Sequence, residues 1–360
     1  MKISYLRILF SAFFLSLFYY QGIGQETDVV QTKTADSIEV DDQLAEINYN
    51  QAIDYYSKGH FDSALRALNR TISVKSDFAD AFNNSGSVKY MLQDYIGALI
   101  DFNTALKIKS SAKTYFGRGL VRIALDSLKE AINDFDETIT LEPNYAEAYY
   151  YRGGANFLLA EYQLAIDDYT RAITLKNDYA IAYNDRGSAN LKLDKLENAK
   201  SDYYNASLLD PTLYYAFSSL GGVKIRLNDA EGAIADLTAA VKIKPEYYFA
   251  FNSRGKAKFV VADYEEAVED FTKALELNPD YLAARNNRGN AKYKLEDYHG
   301  AILDYNQVIK NDTTLGEAYL NRGISKEMIR DEEGACADWK KAAELSITVA
   351  KKYLKNCSDN

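Results

Sequence analysis

The stretch NNRGNAKYKLEDYHGAILDYNQVIK, Asn286 to Lys310, decides the fold, because most of its chemically conspicuous residues recur at a fixed interval. Arg288 and Gly289 have counterparts 34 residues earlier, Arg254 and Gly255, and 34 residues later, Arg322 and Gly323. Ala301 and Asp304 recur in the same way as Ala267 and Asp270, and as Ala335 and Asp338. An interval of that length is the signature of a repeat architecture, not of a single ligand loop.

Extended along the chain, the period yields nine repeats starting at Ala45, Ala79, Ala112, Ala146, Ala180, Tyr214, Tyr248, Leu282 and Gly316, with only the second one residue short. Slot 20 is alanine in all nine repeats, and slot 8 is glycine in eight, with Ala52 in the first. Slot 24 is always large and apolar, and all four prolines (Pro143, Pro211, Pro245, Pro279) fall at slot 32. Within a repeat, the apolar spacing predicts two amphipathic helices, roughly slots 1 to 14 and 18 to 30, joined by a short polar turn. The small residues at slots 8 and 20 let the two helices cross closely, and slots 17 and 24 fill the wedge beside the crossing. Proline at slot 32 cannot extend the second helix and so ends it. One hairpin leaves an apolar face bare, so the units must stack.

Glycine at slot 8, alanine at slots 20 and 27, an aromatic at slot 24 and proline at slot 32 resemble the tetratricopeptide repeat. The likeness runs from Ala45 to Val349. It implies an all-α fold, a right-handed superhelical solenoid of antiparallel helix hairpins, acting as a protein interaction scaffold. Two features depart from the family pattern. Slot 4 lacks an aromatic in the first and eighth repeats, and the usual leucine of slot 7 is arginine in six: Arg118, Arg152, Arg186, Arg254, Arg288 and Arg322.

Every repeat with that arginine carries aspartate at slot 23: Asp134, Asp168, Asp202, Asp270, Asp304 and Asp338. A matched carboxylate consumes the guanidinium charge, so these residues are expected to form structural ion pairs rather than a basic ladder for an anionic ligand. The resemblance further implies that the first helices line a concave groove through slots 2, 5, 9, 12 and 13. On those slots stand Phe116, Tyr150 and Phe157, then Asn184, Ser188, Asn252, Lys256, Phe259, Asn286, Asn290 and Tyr293. These are the expected contacts for a peptide or protein segment. The carboxylate clamp that some relatives build from Lys, Asn and Arg is not reproduced at the corresponding slots. A glycan-binding module using groove aromatics and a spacer without a groove ligand are the alternatives.

Composition narrows the partners. Lys plus Arg number 42 against 52 Asp plus Glu, a net charge of −10, which argues against nucleic acid and anionic membrane. The start, with Lys2 and Arg7 beside an apolar run from Ile8 to Tyr20, reads as a secretory signal over 1–24, too short an apolar stretch to span a bilayer. Cleavage would leave an exported protein, periplasmic or secreted, with no membrane span and possible association with a membrane complex. Residues 25–44 read as an acidic flexible linker, 45–349 as the nine repeats and 350–360 as a C-terminal capping helix and tail.

An enzyme is not expected. The two histidines, His60 and His299, have no third ligand at metal spacing, no Walker loop or nucleophile elbow appears, and no cofactor is implied. Cys336 opens the last second helix and Cys357 closes the segment after it. If 348–356 folds back as an antiparallel cap the two meet, and in an exported protein they would form a disulfide.

Overall fold

The computed structural model describes residues 35–357, in which all regular structure is helical. The first helices of the nine hairpins are α1 (Ala35–Ser57), α3 (Ala79–Met91), α5 (Ala112–Ala124), α7 (Ala146–Leu158), α9 (Ala180–Lys192), α11 (Tyr214–Arg226), α13 (Tyr248–Val260), α15 (Leu282–Lys294) and α17 (Gly316–Met328). The second helices are α2 (Phe61–Val74), α4 (Tyr95–Ile108), α6 (Leu128–Leu141), α8 (Tyr162–Leu175), α10 (Leu196–Leu209), α12 (Ala230–Ile243), α14 (Tyr264–Leu277), α16 (Tyr298–Asn311) and α18 (Glu332–Glu344). A single turn, α19 (Ala350–Tyr353), and a 3-10 turn (Leu354–Asn356) follow.

Seven hairpins close through the same contact, a slot-8 glycine against the slot-24 side chain. A Cβ on Gly255 would stand 2.7 Å from the ring of Phe271, and one on Gly323 would stand 2.6 Å from the indole of Trp339. Slot 8 is therefore small because the slot-24 side chain of the same hairpin lies flat on it. Between the helices the chain turns through a left-handed residue at slot 15 in every repeat, from Gly59 to Arg330, and after the first it is never glycine: Ala160 and Ala262 have φ of 65° and 66°. Four second helices start on an aspartate whose carboxylate accepts from the slot-19 glycine N–H at 2.9 Å, as in Asp94 with Gly97 and Asp331 with Gly334. A side chain at slot 19 would collide with that carboxylate, since a Cβ on Gly97 would lie 2.1 Å from Asp94 Oδ2.

The chain divides between Ala189 and Asn190 into two compact units. In the N-terminal unit one continuous core runs from Ala52 to Ala189 through Phe102, Phe116, Phe135, Tyr151 and Tyr169. In the C-terminal unit the buried residues form smaller clusters, such as Tyr203 with Leu220, Leu237 with Ala250, Phe271 with Ala291, and Val308 with Tyr319.

Both ends differ from expectation. Helix α1 begins at Ala35, ten residues ahead of the first repeat, so 35–44 is helix where a flexible linker was expected. Nothing in ADSIEVDDQL breaks a helix, and Asp42 reaches Lys75, the residue just after α2, at 2.9 Å. Residues 1–24 and 25–34, expected as signal and linker, lie outside the described residues. At the other end the capping helix is only one turn long. Its Tyr353 stacks on Trp339 at 5.0 Å, Ile347 approaches Gly316, and Cys357 is placed against Cys336 as a disulfide pair with a Cα–Cα distance of 5.8 Å.

Candidate functional site: a polar seam and a pocket on the first helices

The arginines and aspartates decide which charges remain for a partner. Arg118, Arg152, Arg254, Arg288 and Arg322 each lie on the aspartate 16 residues later in the same repeat, with Nη2 at 2.5–2.7 Å from Asp134, Asp168, Asp270, Asp304 and Asp338. Each third nitrogen, Nη1, crosses to the preceding hairpin at slot 25: Asn103, Asp136, Thr238, Thr272 and Asn306. Arg186 makes that crossing too, to Thr170 at 3.0 Å, while Asp202 accepts from Asn190 at 2.9 Å. The planar fork thus ties two hairpins with one side chain. Slot-4 aromatics stack on five of the six guanidinium groups, Tyr115 on Arg118 at 5.4 Å for example.

A second partner on the aspartate was not foreseen from the sequence. Slot 11 reaches slot 23 in all eight repeats that carry the acid, as Lys89 to Asp101, Arg122 to Asp134, Asn156 to Asp168, Asn190 to Asp202, Lys224 to Asp236, Lys258 to Asp270, Lys292 to Asp304 and Lys326 to Asp338. Burial pushes the Asp134 and Asp168 carboxyls up, and their arginines pull against it. These charges are committed to the scaffold.

The expected groove contacts separate into three groups. Phe116 and Tyr150 are corrections: they are buried in the continuous core, Phe116 against Phe135 and Tyr145, Tyr150 against Tyr169 and Tyr179. At slot 5 an aromatic is long enough to turn into the wedge toward the next hairpin instead of standing in the groove. Asn184 and Asn252 are also buried, within a seam that joins slot 5 of one repeat to slot 6 of the next. Asn84 donates to Tyr49 Oη at 2.7 Å, Tyr150 donates to Asp185 at 2.8 Å, and Asn287 donates to Asn252 at 3.0 Å. Asn252 also donates to Tyr281 Oη at 3.3 Å, so both ends of its amide are engaged. The seam was overlooked because its interval is 35, one more than the repeat.

Phe157 packs edge-on against Tyr162, Ser188 donates to the Asn184 carbonyl at 3.1 Å, Asn286 is half-buried and Lys256 is exposed. The remaining three expected contacts meet. Phe259, Asn290 and Tyr293 line a pocket of about 250 Å³ in the C-terminal unit, together with Lys294, Tyr305, Asn321 and Ile324. Asn290 Oδ1 accepts from both Tyr305 Oη at 2.7 Å and Asn321 Nδ2 at 3.1 Å. That fixes both amides, and it turns Asn290 Nδ2 and Asn321 Oδ1 outward from the shared bond as one donor and one acceptor. His60 and His299 are exposed, and among the described residues no three His, Cys, Asp or Glu side chains gather as a metal would require.

Sequence models described as tetratricopeptide repeat match residues 49–113, 110–180 and 180–213, and one described as TPR repeat matches 263–296. The chain belongs to the tetratricopeptide repeat family. Members of this family bind protein partners, and no enzyme family is among the matches. Human RNA polymerase II-associated protein 3 is 29% identical over 134 residues, 36% of this chain and 19% of that protein. The human mitochondrial import receptor subunit TOM70 is 34% identical over 108 residues, 29% of this chain and 18% of that protein. The chain thus spans about a fifth of the length of these relatives. Among solved structures, the C-terminal part of a TPR repeat-containing protein from Cytophaga hutchinsonii matches with a TM-score of 0.54 at 15% identity, over 69% of this chain and 98% of that one. A tetratricopeptide repeat protein from Parabacteroides merdae matches at 0.51 and 18%, over 69% and 99%. At such identities the likeness is one of fold.

Proposed function

We propose that the protein is exported and serves as a non-enzymatic scaffold that holds an extended segment of a protein partner along the first helices of its C-terminal unit. The observation that carries this is the pocket. Phe259, Tyr293 and Ile324 offer apolar walls for one large side chain, and the fixed amides of Asn290 and Asn321 offer a donor and an acceptor to the adjoining peptide group. Lys256, exposed at slot 9 of α13, and the half-buried Asn286 extend the same face of the unit. The Cys336–Cys357 pair supports export, because a disulfide persists in an oxidising compartment.

Selection of a random peptide library on the purified protein tests this. Enriched peptides should share an apolar anchor, and their affinity should fall about tenfold for Tyr293→Ala or Asn290→Ala, the loss of one good contact. Selected peptides indifferent to both substitutions would move the site elsewhere. Failure to select any peptide, with capture on a glycan array, would favour a carbohydrate ligand.

A further inference from the structure

We propose that the N-terminal unit carries a separate site, built by Asn184 and Asp185 beside Tyr150, that takes a basic side chain, lysine or arginine, of a protein partner. It does not rest on the pocket of the C-terminal unit.

Asp185 is an acid where the seam needs none. Its Oδ2 accepts from Tyr150 Oη at 2.8 Å and its Oδ1 from Asn184 Nδ2 at 3.0 Å. The equivalent bond three hairpins earlier, between Asn84 and Tyr49, is made by a neutral amide at 2.7 Å, and slot 6 is also asparagine at Asn50, Asn287 and Asn321. A neutral side chain therefore suffices to join the hairpins. The slot-23 carboxylates show what the scaffold does with a charge that it keeps: seven of them lie on a lysine or arginine, from Asp101 on Lys89 to Asp338 on Arg322 and Lys326. The two bonds that Asp185 receives both come from neutral donors, and the phenols of Tyr150, Tyr169 and Tyr179 stand around it. Burial pushes its carboxyl up to about 6, still ionised at neutral pH. An enclosed carboxylate bonded only to neutral groups is a costly arrangement unless something else supplies the charge.

The second observation is independent of the charge. Asn184 is 7% exposed, and its Oδ1 has no hydrogen-bond partner. Its amide cannot simply turn over, because that would set Oδ1 against the Asp185 carboxylate from which Nδ2 now takes its bond. One orphaned acceptor thus lies beside one uncompensated anion. An ammonium with three donors or a guanidinium with five satisfies both at once. The half-buried ring of Tyr179, packed on Tyr150 at 5.0 Å, offers apolar surface to the aliphatic stem of such a side chain. Glu147 acts on Tyr179, and so adds negative potential at that ring.

The test uses the full chain and a set of Gly-Ser hexapeptides, alike except for a central Lys, Arg, norleucine or Glu, titrated by calorimetry at neutral pH. The Lys or Arg peptide should bind at least about tenfold more tightly than the norleucine peptide, the size of one charge-assisted contact. Asp185→Asn should erase that preference, and a thermal melt no lower than wild type would show the variant folded. Asn184→Ala should weaken the basic peptide several-fold, whereas Asn290→Ala should leave the preference intact, which separates this site from the pocket. Equal binding of Lys, Arg and norleucine peptides overturns the proposal, as does a preference that survives Asp185→Asn. Absence of binding by every peptide overturns it too, and assigns the two acceptors to water.

Discussion

The two units are written with one repeat rule and use their first helices differently. In the N-terminal unit slots 5 and 6 hold Phe116, Tyr150 and Tyr151, which turn inward and merge the hairpin cores into one. In the C-terminal unit the same slots hold Asn252, Asn287 and Asn321, the apolar clusters stay small, and amides do the joining. Where aromatics fill the seam their rings join the core. Where amides fill it, a pocket opens between Phe259 and Ile324. Packing and recognition thus compete for the same two slots, repeat by repeat: aromatics at Phe116 and Tyr151 serve the core, and Asn184, Asp185 and Asn321 keep polar groups there.

The sharpest way to break this contrast is to cut one ring from each unit. Phe116→Ala and Phe271→Ala both remove fully buried rings and should each cost about 3–5 kcal/mol. Hydrogen exchange should then rise across the whole N-terminal unit for Phe116→Ala and only in neighbouring hairpins for Phe271→Ala. Equally wide responses would mean that the cores do not differ. Next in size, Gly255→Leu should cost about 1–3 kcal/mol in a denaturant melt by forcing Phe271 off the helix crossing, whereas Gly222, with no atom within 4 Å of the place an added Cβ would take, should accept alanine with a small gain.

Smaller is the effect of Asp185. Its carboxyl stands at about 6 in the folded protein against an ordinary value of 3.8, so the folded state holds the proton more firmly. Stability is therefore greatest below the lower value and declines as pH rises toward the upper one. Asp185→Asn should raise stability by about 1–2 kcal/mol at about pH 8 and by nothing near about pH 3.5. A gain independent of pH would show that the charge is not what is being removed. The smallest change is at slot 15. Ala160→Gly and Ala262→Gly relieve an alanine from a left-handed backbone and should each add up to about 1 kcal/mol, one in each unit.

The fold was legible because steric demands repeat in kind: glycine under Phe271 and Trp339, alanine at every slot 20, proline at slot 32. What stayed hidden was chemically mixed. Slot 11 is Lys, Arg or Asn in the eight repeats that carry the acid, and slot 25 is Thr, Asn or Asp ahead of each slot-7 arginine, each able to bond the same partner, so neither shows as a repeated letter. Slot 15 conceals an identical backbone under Gln93, Asp126, Ala160 and Asn228. Of the candidate site, Phe259, Asn290 and Tyr293 were reached from slot numbers alone. The burial of Phe116 and Tyr150 was not, since a groove slot tells where a side chain starts and not how far its ring can turn.

The arginine fork has one interruption inside the C-terminal unit. Slot 7 of α11 is Leu220, 1% exposed and packed on Tyr203 and Val223, with no guanidinium to reach back to α10. Hydrogen bonds have a preferred direction, and apolar contacts do not. Where a slot-7 arginine crosses, rotation of one hairpin on the next must break a buried fork; at Leu220 the packed side chain can slide, and the arginine bond that spans the junction is the exposed one from Arg226 to Asp194. Torsional compliance in this unit is therefore concentrated at the junction of α10 and α11, a greased bearing in a stack of pinned joints.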